Sequence, residues 1–194
     1  LYLSIYRMRN SRFLFLIISV FSLQGLLLAQ TGFMENKGQW KGPFQFKSSI
    51  PSGTVFFEPH GWTFHWADLE PLHAAHTKGQ PEEILIASHA VQVKVKNGFG
   101  PMHWQGSNPG KTRFSYFLGN DPGSWVSGVH AQGTISAQDV WEGIACRFFS
   151  FKAAMKYEFV VDPGANPKHI QLEFEGAESV YLEEGRLNIE TTLG

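Results

Sequence analysis

Four histidines, His60, His65, His73 and His76, lie close together in the first half of the chain, and the last two stand three residues apart. On a helical turn that spacing puts two imidazoles on one face, as a metal pair requires. Here Pro71 interrupts the segment, no cysteine accompanies it, and the glutamate of an HExxH zinc motif is missing. The pair reads as solvated loop histidine, and no metal site is expected. Cys146 is the single cysteine and sits in the apolar run GIACRFF. A nucleophilic thiolate needs a base and an electropositive setting, so Cys146 reads as a small buried hydrophobe, with no disulfide open to it. Asn120 and Asp121 are neighbouring oxygen donors, but alternating acids and a distal glutamate, as in a calcium loop, are absent.

No GxSxG elbow, SxxK pair or phosphate-binding loop occurs. The carboxylates Glu173, Glu175, Glu178, Glu183, Glu184 and Glu190 mostly alternate with apolar residues, which is the pattern of a wet strand face rather than an acid–base pair. The expectation is therefore no enzyme, no catalytic residues and no cofactor. Net charge is −1 over 194 residues, without a basic patch, so no nucleic-acid partner is expected.

The first 30 residues read as a targeting segment. Arg7, Arg9 and Arg12 precede the apolar run of residues 13–29, which ends on Ala29. The run is short for a membrane span, and Gln24-Gly25 interrupts it. A cleaved signal peptide over 1–30 is expected, with no stable membrane span afterwards and a secreted or cell-surface location. Residues 31–194 then carry 13 basic and 17 acidic residues, a net −4.

Period-two alternation runs through the rest. Trp62, Phe64 and Trp66 share one strand face, so a single buried stripe is the simple account of them. Val91, Val93 and Val95, then Met155, Tyr157, Phe159 and Val161, then Ile170, Leu172 and Phe174, then Leu187 and Ile189 repeat the pattern. Turns are expected at 59–61, 97–98, 162–164 and 184–185. Asp121-Pro122-Gly123 and Asp162-Pro163-Gly164 each offer Pro before Gly, which predicts two type II corners with both glycines at positive φ. Helical turns are expected only within 68–76 and 136–144. The predicted class is all-β, an antiparallel β-sandwich-like module divisible into two small lobes, 31–110 and 111–194, with the boundary in GSNPGK (106–111).

Several stretches together carry a resemblance: ENKGQW (35–40), VFFEPHGWTF (55–64), YFLGNDPGSW (116–125), WEGI (141–144), KYEFVVDPGANPKHIQLEFEGA (156–177) and GRLNIETTLG (185–194). In this order they resemble the N-terminal extracellular domain of large Bacteroidetes-type secreted proteins. Such proteins carry SBBP β-propeller repeats or PKD/Ig-like modules downstream, and a gliding-motility or type IX sorting domain. The chain departs from that pattern at Ala145, where an acid is common, and near His130 and Gln132, where a proline and an aromatic are common. The resemblance implies no activity. It implies place and context: an exported module, at or beyond the cell surface, within a longer multidomain chain. The function expected is then a non-catalytic structural or adhesive N-terminal module, partnered by its own downstream domains and by surface polysaccharide or other surface proteins. A carbohydrate-binding module is the alternative, and it predicts an exposed aromatic row from Trp40, Trp104 and Trp125. An accessory domain of a secreted hydrolase, with the catalytic part beyond Gly194, is the other.

Overall fold

Strands that alternate apolar and polar residues must bury one face, and here two sheets bury theirs against each other. A computed structural model of the protein describes residues 32–72, 84–151 and 154–193. Residues 31–194 form one compact unit. The expected signal segment lies outside the described residues, as do His73 and His76.

The first sheet has six strands in the order β1 (Met34–Glu35), β2 (Phe46–Ile50), β3 (Gly53–Glu58), β4 (Gly61–Ala67), β5 (Ser88–Val95) and β10 (Leu172–Glu175). The second has four, β6 (Gln105–Tyr116), β7 (Val126–Trp141), β8 (Ile144–Phe151) and β9 (Ala154–Val161). β11 (Ser179–Glu183) and β12 (Arg186–Glu190) form a separate hairpin. Every strand pairing is antiparallel. A bridge between Phe33 and Gln132 ties the start of the first sheet to β7. The class is the expected all-β, sandwich-like one.

Aromatic rings fill the space between the sheets. Phe57 of β3 meets Phe148 of β8 edge to face at 4.8 Å, and Trp62 of β4 meets the same ring at 5.0 Å. Trp104 and Phe33 close on Phe57 at 5.4 and 5.5 Å. Ile135, Ala137, Val140, Trp141, Ile144 and Cys146 complete the core from the second sheet. Burying a large apolar side chain contributes about 1.5–3 kcal/mol, and edge-to-face aromatic pairs add about 0.5–1.5 kcal/mol. This cluster holds the sheets together without a disulfide.

Two expectations need correction. The segment 106–111 is not a boundary: it runs within β6, where Gly106, Ser107 and Pro109 pair with Ile135, Thr134 and Gln132 of β7. β10, from the C-terminal part of the chain, also completes the sheet begun by the N-terminal part through Leu172–Glu175 against Gln92–Val95. Residues 136–144 are not a helical turn. They are the end of β7, a two-residue loop at Glu142-Gly143, and the start of β8, with Trp141 paired to Ile144. Of the turn expected within 68–76, residues 70–72 are helical and the remainder lies outside the described residues.

Candidate functional site

The polar side chains of the motif stretches are held by backbone. Asn36 donates from Nδ2 to the carbonyls of Trp40 and Phe44, at 3.1 and 3.2 Å, and accepts at Oδ1 from the amides of Gly38 and Trp40. The buried Gln39 donates to the Glu35 carbonyl and accepts from the Lys37 amide, both at 2.7 Å. Gln45 donates to the Met102 carbonyl and accepts from the Trp104 amide, which fastens the 102–104 segment to the residue that precedes β2. Trp104 donates to the Glu58 carbonyl, and Trp141 to the Lys96 carbonyl at 2.8 Å. A buried amide or indole left without its partner costs about 1–3 kcal/mol. These residue types at these positions are explained by folding.

The corners follow the same logic. Asp121 caps a short 3-10 turn, Pro122–Ser124, accepting from the Gly123 amide at 2.9 Å and from the Ser124 hydroxyl at 3.2 Å. Asn166 caps Pro167–His169 in the same way, through the Lys168 amide at 3.1 Å. The tail carboxylates lie on the wet face as expected: Glu173 pairs with Lys96, Glu175 with Lys94, and Glu190 accepts from Ser179 and Tyr181. The hydrogen bond and charge of Lys96 hold the Glu173 carboxyl below its usual range. Cys146 is fully buried, and burial pushes its thiol up to about 12, the opposite of an activated nucleophile. The described residues contain no group of three or more His, Cys, Asp or Glu placed to hold a metal ion.

The three tryptophans of the expected aromatic row are not brought together. Trp104 is only 5% exposed and belongs to the core. Trp40 is half-buried beneath the Lys47 amine, 3.8 Å from its ring, and packs on Tyr116 at 4.7 Å. Trp125 alone is well exposed, against Phe117. The stripe on β4 also divides. Trp62 is buried, Phe64 is partly buried and packs against the edge of the core, and Phe64 and Trp66 together line a groove of about 960 Å³. Their rings are 5.5 Å apart and within 10° of parallel.

Leu187, Ile189 and Leu193 line the groove from the C-terminal segment, with Asp68 and Glu70 also on its lining. A concave, mainly apolar site with a few polar groups is the usual form of a binding site. Sequence reasoning did not find it. Its walls come from residues more than a hundred positions apart, and the link is His89, whose ring meets the Thr192 hydroxyl at 2.8 Å and the Gly176 carbonyl at 2.7 Å. A smaller hollow of about 330 Å³ adjoins Trp141, Glu142 and His169. The buried Ser48 hydroxyl, which has no hydrogen-bond partner, lines neither.

These observations define an all-β, antiparallel module with a sizeable groove and motif side chains committed to its own backbone. The chain belongs to the family described as a domain of unknown function, DUF7948, whose match spans residues 33–194. No curated protein and no solved structure matches it.

Proposed function

We propose that the chain is a non-catalytic, adhesive or structural module of an exported, surface-displayed multidomain protein, and that it is the N-terminal extracellular domain of a large Bacteroidetes-type secreted protein. The observation that supports this reading is the use of the motif polar groups. Asn36, Gln39, Gln45, Asp121 and Asn166 all satisfy backbone amides or carbonyls. The groove offers aromatic and aliphatic walls with two carboxylates, which suits capture more than bond-breaking. Residues 31–194 should bind cells or isolated surface polymers in a pull-down and turn over no glycoside, ester or peptide substrate. Turnover that co-purifies with the protein through successive columns would overturn the reading.

The near-parallel pair Phe64 and Trp66 favours a second reading, a carbohydrate-binding module working through the groove. Aromatic faces with carboxylates nearby suit neutral sugars. Under this reading Trp66→Ala abolishes retention on an insoluble neutral polysaccharide, and Trp125→Ala does not.

A further inference from the structure

The turn joining β6 to β7 carries large apolar side chains in water. Phe117 is 64% exposed, Leu118 46% and Trp125 45%. Contiguous exposed apolar groups of this kind mark interaction surfaces. They are held, not loose: the Trp125 ring meets Phe117 at 5.7 Å and donates from Nε1 to the Gly119 carbonyl, and the Asp121 cap fixes the corner between them.

Cations without a carboxylate partner stand behind this tip, one of them, Lys47, resting on the Trp40 ring. Lys94, Lys96 and Arg147 pair with Glu175, Glu173 and Glu158. Among the described residues Lys41, Lys47, Lys111 and Arg113 have no carboxylate within ion-pair distance. The packing of Trp40 on Tyr116 sets Lys41 and Lys47 beside the hairpin. Arg113 precedes Phe117 by four residues, about 13 Å along an extended chain. Within residues 116–125 the single acid is Asp121, and its carboxylate accepts from Gly123 and Ser124.

We propose that this tip docks on an anionic lipid surface, with Phe117, Leu118 and Trp125 entering the headgroup layer and Lys41, Lys47, Lys111 and Arg113 facing the lipid phosphates. Interfacial protein segments bury their apolar face by about 5–10 Å. A tip inserted to that depth leaves Arg113 near the phosphate plane, within a Debye length of about 8 Å. An acidic polysaccharide would satisfy the cations, but it gives no apolar medium for Leu118 or for Phe117 set edge-on to Trp125. The inference goes beyond the adhesive reading and does not use the groove.

Residues 31–194 form one compact unit that holds the core, so they serve as the test protein. They are sedimented with phosphatidylcholine vesicles with and without phosphatidylglycerol, at low and high salt. Binding is expected only with phosphatidylglycerol, weakening with salt, and with a blue shift of tryptophan emission that Trp125→Phe removes. Phe117→Ser with Leu118→Ser, and separately Lys111→Gln with Arg113→Gln, each lower binding about tenfold or more, while Trp66→Ser leaves it unchanged. Wild type that ignores both vesicle types overturns the proposal, as does binding that survives Phe117→Ser with Leu118→Ser. Equal capture by dextran sulfate beads, insensitive to those two changes, assigns the cations to a polyanion instead. Quenching of wild-type tryptophan by brominated lipid tests insertion without any variant, and its absence likewise overturns the proposal. Loss of neutral-polysaccharide retention in Trp66→Ala would concern the groove alone.

Discussion

Asp-Pro-Gly occurs twice in this chain and folds in two ways. At Asp162-Pro163-Gly164 the Ala165 amide donates to the Asp162 carbonyl at 3.0 Å and Gly164 stands at φ +92°, which is a type II turn as the tripeptide predicts. At Asp121-Pro122-Gly123 the same three residues start a 3-10 turn, and Gly123 is not among the positive-φ residues. The expectation of positive φ at both glycines is thus right once and wrong once. The fourth residue differs. Ser124 donates its hydroxyl to the Asp121 carboxylate, which also takes the Gly123 amide. Ala165 has no hydroxyl to offer. The Ser124 hydroxyl is thus an added local donor that favours the cap at Asp121, and Ala165 offers Asp162 none. Asn166-Pro167 forms its own 3-10 turn with the Lys168 amide as the donor to its side chain, so a hydroxyl at the fourth position favours the cap without being required for it.

The largest effect expected from this contrast is at Gly164. A Cβ there meets nothing within 4 Å, but at φ +92° an L side chain is strained whatever the space. Gly164→Ala should lose about 1–2 kcal/mol in a denaturant melt, and a wild-type midpoint would break the type II assignment. Next is Asp121→Ala, which removes the cap and leaves the Gly123 amide to water. About 1 kcal/mol is expected, whereas Asp121→Asn, which keeps an accepting oxygen, should lose a few tenths at most. Equal losses for the two variants would mean that charge, not the turn, is what position 121 supplies. Ser124→Ala tests the added donor. Its exposed hydrogen bond is worth about 0.5 kcal/mol, and amide exchange at Gly123 should quicken as the turn loosens. Unchanged exchange would remove Ser124 from the explanation.

The same competition between local pattern and partner accounts for what could be read from residues alone. β4, β5, β9, β10 and β12 were legible because alternation survives along each, as at Trp62, Phe64 and Trp66. The Glu184-Gly185 loop was legible too: both residues stand at positive φ, 48° and 74°, as a two-residue hairpin turn requires. β6 was hidden, because Gly106, Ser107, Asn108, Pro109 and Gly110 carry no strand preference, and only pairing with β7 extends them. Residues 136–144 misled for a sharper reason. Ala137, Val140, Trp141 and Ile144 are all buried, which is helical spacing. A register shift between Ala137 and Trp141, with Asp139 at φ +49°, inserts the extra residues that turn strand alternation into that spacing. The groove was illegible because Trp66 and Leu187 come to line one hollow only in the folded chain, and nothing near either residue announces it.

The smallest expected effect is the most discriminating. Gly123→Ala places a Cβ 3.2 Å from the Asp121 Oδ1 that accepts the Gly123 amide, so the carboxylate must yield by a few tenths of an ångström. Against that, alanine narrows the unfolded ensemble and contributes about 0.4–1 kcal/mol where its native φ is accessible. The two terms oppose, and a net change within about 0.5 kcal/mol of wild type follows from them. A type II corner predicts instead a loss like that of Gly164→Ala, so the paired melts separate the two geometries without a structure. The sign can be sharpened further. In an Asp121→Ala background the crowding oxygen is gone while the backbone requirement stays. There Gly123→Ala should become stabilising by about 0.4–1 kcal/mol, a positive coupling that a double-mutant cycle reads directly. Loss of stability in that background would place Gly123 at positive φ and make the two corners alike.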